Sequence, residues 1–387
     1  MLLSINYDSY SCKAIQNRTF SYHDIHNILK TLVKKNKIKC LGNSFDGREI
    51  TLYKIGKGEI KILLWSQMHG NEPTATAALI DLMMFFNDDK NTLGSNILEA
   101  CTLYIIPILN PDGLEKFTRR NAQEIDINRD YLAEQTTESI LLKEIRNKIK
   151  PNFAFNLHDQ DSLYSIPNTK KPVGISLLAP AFDRTLSVNW TREQAMKVII
   201  CINETLQQLI PNQIARFNDE FEPRAFGDNF QNAGTPTILI ESGYLKNDEE
   251  KQEVRKLNFF GILAALECII KENFQEKDLM NYFMIPVQKK ELFHVMIKSC
   301  AFKIDKQKYK VDIGLNYNEV FNSADRSLRK EYFISDIGDL SIYDGYEVIN
   351  AEGFSIKGKP QFEQLANLSI INKKKEIIIG FNLGVRI

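Results

Sequence analysis

The stretch "SQMHGNEPTATAALIDLMMFF", residues 66–86, sets His69 three residues before Glu72, with Pro73 leading into a long apolar run. A His and a Glu at this spacing could clasp a metal ion, or could be no more than a polar loop ahead of a helix. The pair alone is weak evidence, because such a spacing arises by chance in many chains of this size. Its place adds weight: it follows a buried strand, and open α/β sheets bind ligands where loops leave the carboxyl ends of their strands. A catalytic zinc ion usually takes three protein ligands and leaves a position for water. His158 ends the strand "FAFNLH" with the same strand-to-loop placement, which makes it the candidate third ligand. Of the five histidines, His23 and His26 fall on an N-terminal helix and His294 in the C-terminal segment, where they read as surface or core-filling residues.

Two more groups could do chemistry. Glu241 closes the strand "TPTILIE", an awkward place for a carboxylate unless something at the sheet edge needs it; the plain alternative is a salt-bridged strand-end acid. In "NPDGLEKFTRRNAQEIDINRDY" a Pro-Asp-Gly turn precedes Arg119, Arg120, Asn128 and Arg129. A charged patch is usually a solvated face. Here it interrupts an apolar alternation and offers planar forks suited to carboxylates and carbonyl oxygens.

The elements that must position these groups follow from periodicity. "SYHDIHNILKTLVKKNK" carries Ile25, Leu29, Leu32 and Val33 at helical spacing, and "KIKCLG", "EITLYKIG" and "IKILLWSQ" read as strands broken at Gly. "TATAALIDLMMFF" is long and apolar enough for a packed helix that Thr74 is placed to cap. "CTLYIIPILNPDG" is a buried strand ending in a turn; "TESILLKEIRNKIK" a helix; "PNFAFNLHDQ" a strand; "TREQAMKVIICINETLQQLI" a long helix; "TPTILIESGY" another buried strand. This alternation predicts an α/β sheet covered on both faces. From about residue 280 the segments are short and alternating with no helix between them, so residues 1–280 are expected to form one domain and 281–387 a β-rich one, joined at "KENFQEKDLMNYF".

With 387 residues and 43% hydrophobic content the chain can bury a large core, which excludes global disorder. Lys+Arg and Asp+Glu are both 49, so no global field draws it to nucleic acid or acidic lipid, and a small or peptidic partner fits better. The six cysteines, Cys12, Cys40, Cys101, Cys201, Cys268 and Cys300, are widely spaced, never form C-x-x-C, and read as reduced core thiols. The opening "MLLSINYDSYSCKAIQ" has no basic n-region and too short an apolar start for a signal peptide, and no apolar run reaches the ~20 residues a membrane span needs. A soluble cytoplasmic protein is expected; its oligomeric state leaves no mark in the sequence.

Taken together, "HGNE", "NPDG", "TRRNAQEIDINRD", "NLH" and "ILIE", in this order and at these separations, resemble the zinc carboxypeptidases related to carboxypeptidase A. The resemblance covers roughly residues 38–275 and joins five separated motifs, any one of which would be cheap; "GNSFDGREITLYKIGKG" also looks like the strand pair that leads to the family's metal-bearing loop. It implies a three-layer α/β/α fold with a mixed, mostly parallel central sheet, and one zinc ion per chain held by His69, Glu72 and His158. It gives Glu241 the role of general base and Arg119, which keeps the Arg-x-Asn spacing to Asn121 where Arg120 does not, the role of polarising the carbonyl. Asn128 and Arg129 are implied to grip the free α-carboxylate of a substrate. Asp126 matches the acid that hydrogen-bonds a zinc-binding His and fixes its ring; otherwise it is an ordinary turn aspartate.

The implied reaction is hydrolysis of a peptide amide next to a free carboxylate, with zinc-activated water as nucleophile. Two departures bear on specificity. The family carries a mobile tyrosine roughly twenty residues before the catalytic Glu, and "NDEFEPRAFGDNFQNAG" has none, so either substrate closure differs or Phe226 or Phe230 takes over the packing role. Asp130 directly follows Arg129 and could pair with it, loosening the grip on a terminal carboxylate. A zinc deacylase of N-acyl amino acids, and a binding protein on a disabled carboxypeptidase fold, remain as alternatives; the intact His69, Glu72, His158 and Glu241 argue against the second.

Overall fold

Residues 2–32, 37–304 and 307–387 are described by the computed structural model. Helix α1 (Tyr22–Thr31) opens with a capping box, Ser21 accepting from Asp24 N–H and Asp24 from Ser21 N–H. Ile25 and Leu29 are buried on it, and Val33 lies outside the described residues. There follow strands β1 (Lys37–Asn43), β2 (Glu49–Gly56) and β3 (Ile60–Ser66), helices α2 (Thr74–Phe86) and α3 (Thr92–Ala100), strand β4 (Cys101–Ile106), helices α4 (Pro111–Lys116) and α5 (Thr137–Ile149), and strand β5 (Phe153–Asp159). After a two-residue strand β6 (Tyr164–Ser165) come β7 (Ile175–Leu178), α6 (Trp190–Leu206), β8 (Ile214–Arg216), α7 (Phe226–Asn232), β9 (Thr237–Ser242), α8 (Gln252–Ile270) and α9 (Met280–Met284).

Eight of these strands form one sheet in the order β1-β2-β4-β3-β5-β9-β7-β8. The central neighbours β4-β3-β5-β9 are parallel, while β2 runs antiparallel to β4 and β7 to β9. Because β3, β5 and β9 are parallel, their carboxyl ends share one edge, which carries His158 and Glu241 at the ends of β5 and β9 and receives the loop after β3 that bears His69. Both faces are covered, as the side-chain alternation along β3 shows: Ile62 and Leu64 pack into the cluster of α2, α6 and α8, Leu63 and Trp65 into that of α5 and α7. The expected mixed, mostly parallel α/β/α architecture is what the chain forms.

Two local expectations are corrected. Thr74 does not cap α2: Pro73 is the N-cap residue and makes no side-chain bond, and the Thr74 hydroxyl donates instead to Asp159 Oδ2. Of the cysteines, five are buried but Cys40 is exposed on β1, so it is no core thiol; all six are free. No helix among the described residues is long and apolar enough to cross a membrane.

Compactness divides the chain into a first unit, up to Asp161 plus Val173–Gln288, and a second, Ser162–Pro172 plus Lys289–Ile387. In the second unit β6 pairs with β10 (Lys289–Lys290). Strands β11 (Leu292–Ile304), β12 (Gln307–Asn322), β13 (Ser327–Gly338) and β14 (Asp344–Asn350) form one sheet; β15 (Ser355–Gly358), β16 (Leu368–Ile371), β17 (Ile377–Asn382) and β18 (Val385–Arg386) form another. Val295, Ile297, Leu315 and Ile334 of the first sheet share a core with Leu368, Ile370, Ile379 and Phe381 of the second. His294 is a structural pin here: its Nε2 lies 2.8 Å from Ser162 Oγ, its Nδ1 accepts from Tyr317 N–H, and its ring stacks on Tyr317.

Candidate metal centre and active site

The loop after β3 is built to bring His69 and Glu72 together at the end of the sheet. Gln67 adopts a left-handed conformation, φ 50°, and its side chain spans the turn, donating to the Gly70 carbonyl and accepting from Thr76. Gly70 lies so close to the Gly113 backbone that a Cβ would come within 1.8 Å of the Gly113 carbonyl carbon, which is why "HGNE" needs its glycine; a Cβ on Gly113 would in turn come within 2.4 Å of Asn110 Nδ2. Asn110 ties the two loops together, capping α4 at Gly113 N–H and donating to the Met68 carbonyl. Asp112 then anchors the "GNSFDGRE" turn through Ser44, Asp46 N–H and Arg48.

Glu72 N–H donates to the His69 carbonyl, closing a turn that brings both side chains to one point. His69 Nδ1 is 2.8 Å from Glu72 Oε1, and His158 Nδ1 is 2.7 Å from Glu72 Oε2 and 3.2 Å from His69 Nδ1. One ligand atom from each of the three residues lies within 4.8 Å of the others, and all three residues are buried. Two imidazole nitrogens and a carboxylate are a donor set that suits zinc. The His69 ring is fixed from behind, its Nε2 3.1 Å from Asp126 Oδ1, as ligand histidines commonly are. His158 differs: its Nε2 is buried with no hydrogen-bond partner among the described residues.

The electrostatics favour an ionised carboxylate at the centre. Burial pushes the Glu72 carboxyl up, but the two imidazoles outweigh it and hold its pKa far below the usual range. Burial lowers the His158 pKa, whereas for His69 Glu72 and Asp126 overcome burial and raise it. Glu241 is opposite in kind: burial first, then the Glu72 and Asp159 charges, push its carboxyl well above the ordinary value. It stands beside His158, its register partner across the parallel β5–β9 ladder.

Arg119 reaches this group and Arg120 does not. Arg119 Nη1 is 3.3 Å from Glu72 Oε1 and its Nε donates to Asp126 Oδ2 at 3.0 Å, whereas Arg120 turns away to the Glu124 carbonyl. Asn128 N–H donates to Asp126 Oδ1, and Asn128 Oδ1 accepts from Phe226 N–H. Arg129 lies next to them, 3.2 Å from Glu222.

Two sequence readings fail here. Asp130 does not pair with Arg129: its carboxylate accepts from Gln135 N–H, Thr136 N–H and the Thr136 hydroxyl, fixing the turn into α5. Phe226 and Phe230 do not stand in for a mobile tyrosine, because both are fully buried against Trp65 and Tyr131. Sequence reasoning also missed three residues. Lys251, buried, pairs with Asp159 at 3.1 Å beside Glu241, and nothing in the local pattern announces it; Asp159 itself directly follows His158 in "NLHD". Glu222 falls inside the segment searched for a tyrosine and was legible only as one more acid.

The sequence profile of the zinc carboxypeptidase family matches residues 25–172. Carboxypeptidase SOL1 of Arabidopsis thaliana is 30% identical over 120 residues, 28% of this chain and 24% of that protein. Carboxypeptidase 2 of Trichophyton rubrum is 33% identical over 103 residues, 26% of this chain and 19% of that one, so the match spans a quarter or less of either relative. Among solved structures, a metallo-carboxypeptidase from Burkholderia cenocepacia superposes with a TM-score of 0.55 at 17% identity, covering 66% of this chain and 70% of that one. Carboxypeptidase A from Helicoverpa armigera gives 0.52 at 15% identity, covering 65% and 74%. The fold is that of the metallocarboxypeptidases. The similarity in sequence to the zinc carboxypeptidase family is confined to residues 25–172, which include His69, Glu72, Arg119, Asp126, Asn128, Arg129 and His158; Glu241 lies beyond that stretch.

Proposed function

We propose that this chain is a zinc-dependent hydrolase that cleaves an amide bond next to a free carboxylate. The observation that carries the reading is the convergence of His69, Glu72 and His158 at the carboxyl edge of the parallel strands, with Glu241 alongside His158. His69, Glu72 and His158 would hold the ion, which when bound supplies Lewis acidity and lowers the pKa of water toward ~7. Asp126 keeps the His69 ring turned to present Nδ1. Arg119, its Nε tied to Asp126, aims an Nη group at the same point and would stabilise charge on the attacked carbonyl oxygen. Glu241, in a site whose burial favours the protonated acid, would take a proton from the attacking water at its carboxylate and return it to the leaving amine nitrogen. Asn128 and Arg129 would hold the substrate's free carboxylate.

The test is metal analysis of the purified chain together with hydrolysis of two panels, N-acyl dipeptides and N-acyl amino acids. One zinc per chain with release of the C-terminal amino acid from the dipeptides is expected. Cleavage confined to the acyl amino acids would make the chain a deacylase, and full zinc without hydrolysis of either panel would leave a binding protein.

A further inference from the structure

The segment between β8 and α7 is bonded onto the residues assigned above to the substrate carboxylate. Phe226 N–H donates to Asn128 Oδ1 at 3.0 Å, Tyr131 N–H donates to the Arg224 carbonyl at 3.3 Å, and Glu222 N–H donates to Asp228 Oδ1 at 2.9 Å. Residues 222–226 are thereby held beside residues 128–131, and the side chain this places on Arg129 is a carboxylate. Glu222 Oε2 lies 3.2 Å from Arg129 Nε. The same carboxylate is gripped by Arg224, Nε to Oε1 at 2.9 Å and Nη2 to Oε2 at 2.8 Å. Between them these arginines hold it ionised, with a pKa lowered to about 2 chiefly by the Arg224 bonds.

A guanidinium offers five N–H donors in a rigid fork, and a bidentate carboxylate needs two parallel ones. On Arg129, Nη1 is already donating to the Asn128 carbonyl at 2.8 Å and Nε faces Glu222. We infer that Glu222 is a specificity-determining residue, an internal carboxylate that occupies one edge of the Arg129 fork and that a substrate's free carboxylate must displace or share the cation with. This rests on the role proposed for Arg129.

Displacement is cheap for two reasons. The Arg129 and Glu222 side chains are 37% and 27% exposed, and ion pairs so open to water contribute little. Arg224 keeps hold of Glu222 when Arg129 lets go, so no carboxylate is left without a partner. A ligand ending in an amide has no charge with which to displace Glu222 and leaves the pair as it is. Glu222 therefore sets how strongly a free acid is preferred over its amide.

The experiment is calorimetric binding of an N-benzoyl dipeptide and of its C-terminal amide to the zinc-loaded chain. Both are measured in a Glu241→Gln background, which suppresses turnover, with and without Glu222→Gln. The acid should bind about fivefold tighter once Glu222 is neutral, the amide should be unchanged, and the gain should vanish when Arg129→Met is added. Unchanged or weaker acid binding in Glu222→Gln, an equal gain for the amide, a gain that survives loss of Arg129, or no acid binding to any variant at millimolar concentration would each overturn the inference. Failure of the hydrolase reading shows up separately, as a zinc-loaded wild-type chain that cleaves neither panel while still discriminating acid from amide.

Discussion

His158 and Glu241 sit opposite one another on β5 and β9, neighbouring parallel strands in direct register. Strand spacing, roughly 4.8 Å, is set by the backbone ladder rather than by either side chain. A change at one position can therefore alter chemistry without moving the other.

Glu241→Gln keeps the shape and removes the titrating group. Zinc content should stay at the wild-type level, while hydrolysis of the best N-acyl dipeptide should drop by about 10²–10⁴, the usual worth of a positioned acid–base group. Metal analysis and initial rates on one preparation decide it; wild-type turnover would remove Glu241 from the mechanism.

His158→Ala should show the opposite pattern. It deletes one of the three converging donors and leaves His69 and Glu72 as a two-residue site. After dialysis against a chelator and back into zinc, the variant should hold far less than one ion per chain, with activity lost in proportion. Full zinc occupancy after that treatment would contradict the ligand assignment.

How much of this was legible in the sequence depends on what each feature rests on. His69, His158 and Glu241 stand out because each follows an apolar strand long enough to read, and the parallel order of β3, β5 and β9 then brings those ends to one edge. Helix α8 escapes notice because it is buried on nearly every side, so "EVRKLNFFGILAALECII" presents no clean apolar stripe. Strands β7 and β8, four and three residues long, are too short for a period to show. Asp130 was misread for a different reason: adjacency to Arg129 suggests a pair, but the 3₁₀ turn at Ile127–Arg129 sends its carboxylate to the turn at Thr136. The Arg129–Glu222 and Asp159–Lys251 pairs join residues 93 and 92 positions apart, and no local pattern encodes either.

Asp126 links both halves of the site, touching His69 Nε2 through Oδ1 and Arg119 through Oδ2. Asp126→Asn preserves size but offers an uncharged partner to the ligand ring and to the guanidinium. Zinc affinity, read by competition with a chelator of known strength, should weaken about 10–100-fold. An unchanged affinity would reduce Asp126 to the turn residue it could otherwise be.

Asp228 gives a pH signature independent of metal. It is buried on α7, and burial pushes its carboxyl up to about 7, against roughly 3.9 in an unfolded chain. Between those values the folded state keeps a proton that the unfolded state has lost, so stability drains away as pH rises through the window and the loss is complete above pH 7. Asparagine stays neutral throughout and can still accept the Glu222 N–H bond that Asp228 Oδ1 accepts. Asp228→Asn should therefore unfold at higher urea than wild type at pH 8, by at most about 4 kcal/mol, and match it near pH 4. A difference between the two proteins that is the same at both pH values would show that the Asp228 proton is not what the buried site selects.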